Sequence, residues 1–211
     1  MDPLTDPPAG NQAGEAPLLT TTRLLLRSWT DADAEALFVL SNDPGTMRYF
    51  AGFPSRDQID AMVARHRDNL MHGRPGLFAV EVRPGHPLAG EFIGFVGLAE
   101  PTWEASFTPC VEIGWRLRKH AWGHGYATEA ARAVLAHAFG TLGLAEVLSF
   151  TAVANEPSRA VMRRIGMHHD ADGDFDHPRI TPGDALRRQV LYRLTASEWS
   201  RQARPPGSAL D

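Results

Sequence analysis

Two glycines carry the most readable chemistry in this chain. In Trp122-Gly123-His124-Gly125-Tyr126-Ala127 the backbone enters a turn with little side-chain bulk. After it Ala127, Ala130, Ala131, Val134, Leu135 and Ala138 recur at helical spacing. A turn of small residues at a helix N-terminus leaves N–H groups free and presents the positive end of the helix dipole. That arrangement binds anions, most naturally phosphate. No Gly-Lys-Ser/Thr ending follows, so the turn lacks the lysine and the magnesium ligand of a nucleoside triphosphate loop. It also fails as a dinucleotide fingerprint: Thr128 stands where a final small residue is needed, and no ribose-reading acid is evident about twenty residues on. What remains is a cradle of backbone amides for a diphosphate.

Other chemically capable residues read more quietly. Cys110 has no histidine beside it in sequence to activate it, and reads as a small packed thiol. His66 shares a helix face with Ile59, Met62, Val63 and Leu70 and reads as a partly buried helix residue rather than a ligand. His168, His169 and Asp170, with Asp172, Asp174 and His177, invite a metal reading. Their spacing matches no zinc motif, and a strand sends His168 and His169 to opposite faces, so no metal site is expected. His177 fits a late loop over a substrate pocket.

The glycine turn needs a strand before it and a helix after it. Val111, Ile113, Trp115 and Leu117 alternate with Glu112, Gly114, Arg116 and Arg118, the period of a strand. Upstream, residues 22–27 read as a first strand, and Thr30 as an N-cap, with Asp33 three residues on and a stripe of Ala34, Leu37, Phe38 and Leu40. A loop over 41–55 with the turn Asn42-Asp43-Pro44-Gly45 precedes a helix over 56–72. Two antiparallel strands follow, at 76–82 and 91–98, where Gly94 and Gly97 signal bulges or close backbone approach. Residues 101–109 form a loop with exposed Trp103 and Phe107, either a wall of a substrate pocket or a packing loop. Downstream, the long helix ends at Gly140 or Gly143. Residues 146–153 read as a strand buried on both faces. Asn155 and Pro157 open a helix that turns Val161, Met162 and Ile165 inward and ends at Gly166. The spans 167–171 and 189–194 read as final strands.

The chain has 211 residues, 43% hydrophobic and 22% charged, an ordinary composition for one large domain. Residues 1–18 read as a disordered tail, 19–200 as one domain, and 201–211 as a flexible C-terminal tail. A net charge of −4 gives no global reason to expect nucleic-acid binding. All but Lys119 of the 21 basic residues are Arg, which reads as coding bias. A single cysteine excludes an intrachain disulfide and suits a reducing cytosol, so the expected location is cytoplasmic. No apolar run approaches a membrane span of about 20 residues, and the N-terminal residues do not read as a signal peptide.

The order strand, glycine turn, helix, strand, helix, strand resembles the GCN5-related N-acetyltransferase (GNAT) fold. The family's pyrophosphate loop, Gln/Arg-x-x-Gly-x-Gly/Ala, maps onto residues 122–127. E-I-G-W followed by W-G-H-G-Y-A-T-E-A-A and N-E-P-S-R-A-V-M-R-R-I-G-M is similar to the RimJ/RimL-like ribosomal-protein alanine acetyltransferase branch. The opening T-T-R-L-L-L-R-S-W-T-D-A-D and the closing V-L-Y-R-L-T-A-S-E-W fit that branch too, so the resemblance spans about residues 21–199. It departs from the family at Trp122, where Gln or Arg is usual; Trp brings no charge to phosphates, but is common in this branch.

The resemblance implies an α/β (α+β) fold: a mixed, mostly antiparallel twisted sheet with one splayed parallel strand pair and flanking helices. It implies acetyl-CoA as acyl-donor substrate, no metal, and transfer of the acetyl group to a primary amine by direct attack in a ternary complex. The acceptor partner would be a protein N-terminus or a small amine, with no membrane or nucleic-acid partner and a possible homodimer. Backbone N–H groups of Gly123, His124, Gly125, Tyr126, Ala127 and Thr128 would hold the pyrophosphate, and Trp122 would wall the site. Leu117 and Arg118 would line the pantetheine arm, and Asn155 would contact it while capping its helix. Arg118, Lys119 and His120 either add charge near the adenosine 3′-phosphate or form a solvated strand end. Glu112 is the candidate general base, or else a surface carboxylate paired with Arg116 on the same strand face. The oxyanion donor would be a backbone N–H near Ile113 to Trp115, with Gly114 permitting close approach. Many family members carry a tyrosine acid at the position of Met162, which cannot donate a proton. Ser158 is the hydroxyl left nearby, to act as the acid or to satisfy a backbone N–H of its helix. Tyr126 and Tyr192 are expected to be structural hydroxyls. Two other functions stay open: transfer of another acyl group such as succinyl, or acyl-CoA binding without catalysis.

Overall fold

The structure is a computed structural model and describes residues 18–203. Eight strands form one sheet in the order β1-β2-β3-β4-β5-β6-β8-β7. These are β1 (Leu19–Thr20), β2 (Leu24–Arg27), β3 (Leu77–Val82), β4 (Phe92–Ala99), β5 (Glu112–Leu117), β6 (Glu146–Ala152), β7 (His168–Asp176) and β8 (Arg188–Thr195). Every neighbouring pair is antiparallel except β5 and β6. Among the described residues the α-helices are α1 (Asp31–Ser41), α2 (Pro44–Met47), α3 (Arg56–Met71), α4 (Tyr126–Gly140), α5 (Glu156–Arg164) and α6 (Ala196–Ala203). This is the expected mixed sheet with a parallel pair and flanking helices.

Alternation in the strands divides the apolar core in two. Phe78, Val80 and Val82 of β3 face α4, whose Ala130, Ala131, Val134, Leu135 and Ala138 complete that layer. Leu77 and Ala79 face the other way, onto Leu37 of α1 and Ile59 and Val63 of α3. On β5 the same alternation sends Ile113 and Leu117 toward α4. Arg116 stands opposite Phe95 of β4 and goes to the α1–α3 side. Register slips by one residue where β3 meets β4, between Val80 and Glu81. Gly94 absorbs the slip: its φ is 133°, and a Cβ there would lie 2.1 Å from the Arg116 carbonyl oxygen. A Cβ at Gly97 would likewise be too close to the neighbouring backbone, 2.4 Å from the Gly76 oxygen and 2.5 Å from the Leu77 Cα. Both glycines thus mark close approach, as expected.

Several boundaries differ from expectation. The loop over 41–55 contains the one-turn helix α2, opened by Asp43 accepting the Thr46 N–H at 2.6 Å. The strand read as 167–171 continues to Asp176 by pairing with β8. Residue 201 was expected to begin a flexible tail, but α6 runs to Ala203: Trp199 packs on Phe139, with ring centroids 6.0 Å apart. The tail expected over residues 1–18 lies outside the described residues except for Leu18, as do residues 204–211.

His66 is 3% exposed, and its Nδ1 accepts the Leu77 N–H at 3.3 Å. Burial, with Arg65 adding to it, pushes its pKa down to about 4 from 6.5. Between those values the unfolded chain binds the extra proton, so folding stability falls as pH drops from 6.5 toward 4. The loss at this one residue amounts to about 3 kcal/mol. Urea unfolding at pH 7 and pH 4.5 checks this: His66→Gln should be less stable than wild type at pH 7 but lose less on acidification.

Candidate active site

The glycine turn is built as its composition suggests. Gly123 and Gly125 take φ values of 81° and 79°, and Gly125 is the N-cap of α4. No side chain caps that helix, so its first N–H groups are free for a ligand. They open into a cavity of about 1080 Å³ lined by the turn, by Leu117 and Trp122, and by Asn155 and Ser158 of α5. Tyr126 turns its ring inward and donates its hydroxyl to the Pro87 carbonyl at 2.9 Å, leaving its backbone for the cavity. Trp122 stays 37% exposed at the rim, its Nε1 donating to the Leu117 carbonyl at 2.7 Å.

Arginines from three parts of the chain bring positive charge to this cavity. Arg23 donates from Nη1 to the His124 carbonyl at 2.8 Å and from Nε to Glu129 Oε2 at 2.6 Å. Glu129, in the first turn of α4, also accepts the Thr21 hydroxyl at 2.6 Å and the Arg23 N–H at 2.8 Å. Arg132 and Arg164 line the same cavity. Sequence reading missed all three; the one local hint was an acid in the first turn of α4. The expected basic run sits elsewhere. Arg118 lies over Phe92 (5.9 Å), Lys119 approaches Gly45, and His120 meets Glu91 at 3.1 Å. Neither those three residues nor His124 lines the cavity.

Strands β5 and β6 meet only briefly. Glu112 pairs with Leu148, whose N–H donates to the Val111 carbonyl at 2.9 Å. One residue on, the buried hydroxyl of Ser149 replaces the ladder and donates to the Ile113 carbonyl at 2.8 Å. Beyond that point the strands part. Odd-numbered residues of β5 direct their backbone polar groups toward β6, because Arg118 and its even-numbered neighbours bond to β4. The Trp115 N–H therefore faces the opening between the strands. Ser149 was not anticipated, since an isolated serine in a buried strand carries no signal.

Glu112 stands where the parallel pairing ends. It lines a second cavity of about 560 Å³ together with Phe50, Arg116, Phe150, His177 and Arg179. Its carboxylate folds back over Gly114, with Oε1 3.8 Å from where a Cβ there would lie. Among the described residues it makes no ion pair, and burial pushes its pKa up to about 8. The pairing with Arg116 does not form. Arg116 donates from Nη1 to Ser41 Oγ at 2.9 Å and stacks on Phe50 (4.2 Å) and Phe95 (5.4 Å). Tyr49, Phe50 and Arg116 line both cavities, which therefore meet beside Glu112.

Asn155 is buried and caps α5, accepting the Ser158 N–H at 3.4 Å and donating to Thr151 Oγ1 at 2.8 Å. That cap frees the Ser158 hydroxyl, which makes no hydrogen bond among the described residues and lines the first cavity. Met162 is buried. Burial pushes the Cys110 thiol up to about 11, with Glu112 adding to the shift. Trp103 and Phe107, expected to be exposed, are half-buried in a cluster with Phe150, Phe175 and His177. Asp170 is bound to Arg193 at 2.6 Å and His169 to Asp174 at 2.8 Å. Among the described residues no group of three His, Cys, Asp or Glu could hold a metal, and no helix is long and apolar enough to cross a membrane.

Comparison with known proteins agrees with this geometry. The acetyltransferase (GNAT) domain family matches residues 23–168. The chain is 36% identical over 194 residues to an Aspergillus fumigatus protein named FsC-acetyl coenzyme A-N(2)-transacetylase, covering 90% of this chain and 80% of that one. It is 39% identical over 88 residues to YdaF of Bacillus subtilis, by its name a candidate ribosomal N-acetyltransferase, covering 42% and 46% of the two chains. A crystal structure of spermidine N-acetyltransferase from Vibrio cholerae, in complex with CoA and spermine, shares the fold. Its TM-score is 0.66 over 85% of this chain and 99% of that one, at 19% identity. With the acetyltransferase domain matched over more than half its length, and a transacetylase relative along 90% of it, the chain belongs to the GNAT family and is an acyltransferase.

Proposed function

We propose that the protein transfers the acetyl group of acetyl-CoA to a primary amine by direct attack in a ternary complex. Residues 19–200 act as one catalytic domain of the RimJ/RimL-like branch, and the motifs at 112–131 and 155–167 together with the partial match to YdaF support that branch. The relative named as an acetyl coenzyme A transacetylase supports the donor. A cytoplasmic setting fits the lone free thiol.

The donor's diphosphate lies on the N–H groups of residues 123–128, with Arg23, Arg132 and Arg164 balancing its charge. Leu117, Trp122 and Asn155 bound the path of the pantetheine arm into the opening between β5 and β6. Arg118 and His124 act through the backbone: the Arg118 N–H fixes the strand end on Ile93 at 2.8 Å, and the His124 carbonyl holds Arg23.

The acceptor enters from the second cavity. Glu112 takes a proton from its ammonium group, and the freed nitrogen attacks the thioester carbon. The N–C bond forms while negative charge collects on the carbonyl oxygen, where the Trp115 N–H stabilises it. Collapse of the intermediate breaks the C–S bond; the nitrogen sheds its second proton as the amide forms, and Ser158 relays a proton to the departing thiolate while regaining that one. The observation carrying this reading is an unpaired carboxylate with a pKa of about 8 at the mouth of a splayed strand pair. Such a group accepts a proton near neutral pH, where an ordinary glutamate is too weak a base.

Thiol release from acetyl-CoA, measured against a panel of N-terminal peptides and small amines, tests the assignment. Coenzyme A binding without turnover of any amine refutes it. Cys110→Ala should leave that turnover unchanged within about twofold, because a thiol with a pKa near 11 is protonated and forms no acyl-enzyme. A burst of thiol release lost in that variant would argue for a covalent route instead.

A further inference from the structure

The second cavity carries a charge that the acetyl-transfer scheme does not use. Among its described lining residues the only acid is Glu112, against the guanidinium groups of Arg116 and Arg179. Arg23, Arg27 and Arg193 are similarly half-buried, and each holds a carboxylate, at 2.6, 2.7 and 2.6 Å. Arg116 holds none. Its Nη1 meets a serine hydroxyl, its Nε is buried without a partner, and its plane lies on two phenylalanine rings. Burial lowers its pKa to about 10, which still leaves it charged at neutral pH. Glu112, with a pKa of about 8, is mostly uncharged there, so the cavity wall is net positive before a ligand arrives. Arg179 lines the same cavity from its exposed side, donating to the Thr102 carbonyl at 3.1 Å and hydroxyl at 2.8 Å, with no acidic partner among the described residues. A half-buried guanidinium without a counter-ion is costly and is stabilised when an anion docks against it.

We propose that the acceptor is an amine that also carries an anionic group, with Arg116 holding the anion while Glu112 faces the amine. Glu112 and Arg116 lie on the same face of β5, about 13 Å apart at their Cα atoms, and their side chains lean over the same cavity. The acceptor thus spans two poles: a carboxylate-like end against Arg116, in a cavity that Arg179 also lines, and an ammonium end at Glu112. A polycation meets the wrong charge at the first pole and is rejected there. This rests on reading the second cavity as the acceptor side.

The test compares straight-chain ω-amino carboxylates with α,ω-diamines of matched length. Binding is measured by calorimetry on the full chain, with and without saturating coenzyme A, so it does not depend on turnover. The best carboxylate should bind roughly tenfold or more tighter than its matched diamine. Arg116→Met keeps most of the stem that packs on Phe50 and Phe95 and should abolish the preference; because Arg116 also borders the first cavity, the KM for acetyl-CoA is measured alongside. Arg116→Lys keeps the charge and should retain part of the preference, which shows that charge rather than packing is being read. Three outcomes overturn the proposal: no binding by either series, diamines binding as well or better, or a carboxylate preference that survives in Arg116→Met. A raised KM for acetyl-CoA in Arg116→Met, with acceptor preference intact, also overturns it by moving Arg116 to the donor. Failure of coenzyme A to bind refutes the acetyl-transfer reading instead, and the ligand-free titrations still decide the charge preference.

Discussion

Glu112→Gln should lower kcat by roughly 100-fold or more while leaving the affinity for coenzyme A unchanged. The amide keeps the shape of the carboxyl group over Gly114 but cannot accept the ammonium proton. For the wild type, kcat/KM should rise with pH, reach half its plateau near pH 8 and level off above it, because only ionised Glu112 can act as the proposed base. Arg116 and Arg179, sharing the cavity, favour that ionised form, and His177 is held neutral there by burial and by Arg179. The arriving ammonium favours ionisation further, so the inflection for kcat should lie below that for kcat/KM. Stability should move the opposite way. A carboxyl whose folded pKa lies above its unfolded 4.5 binds the extra proton in the folded state, so its contribution declines as pH rises from 4.5 to 8. Glu112→Gln should therefore melt above wild type at pH 8.5. A variant that is more stable but inactive separates a catalytic loss from a folding defect. Unchanged kinetics would remove Glu112 from the mechanism.

The second large effect is expected at the glycine turn. Gly125→Asp should weaken coenzyme A binding by roughly 100-fold or more, measured by calorimetry. Placing like charges together costs several kcal/mol, and a tenfold change in affinity is about 1.4 kcal/mol. The new carboxylate faces the diphosphate position at the head of α4, and the Cβ alone would stand 3.4 Å from Arg23 Nη2. The aspartate would thus also draw that guanidinium away from the ligand. Gly125→Ala separates charge from strain: at φ 79° a Cβ costs about 1–2 kcal/mol, so it should lower the melting temperature while reducing coenzyme A affinity much less. Equal losses in the two variants would assign the effect to backbone strain, and wild-type affinity in Gly125→Asp would remove the turn as the diphosphate site.

Legibility in the sequence followed the range of the interactions involved. The turn and helix start at 122–131 and the Thr30 and Asn155 helix starts are local features, each set by a few neighbouring residues. The mixed sheet and its parallel pair also agreed with expectation, because a strand–helix–strand crossover demands parallel neighbours. Element ends were read less well. α6 is held by Trp199 packing on Phe139, some sixty residues away, and the extension of β7 depends on its partner β8.

For the candidate site the division is sharper. The sequence by itself determined the glycine turn proposed as the diphosphate cradle, the strand bearing Glu112, and the family motifs that give both a meaning, since each lies within one continuous run of backbone. The tertiary structure alone decided three things. It set the charge at the cradle, because Arg23 reaches Glu129 and the His124 carbonyl across more than a hundred residues. It decided that Glu112 goes unpaired, because Arg116 is drawn instead to Ser41, Phe50 and Phe95. It also left the Trp115 N–H facing an opening, because Ser149 replaces a ladder bond where the strands separate. Burial and charge pairing depend on what packs against a residue from other elements, and no spacing along the chain encodes that.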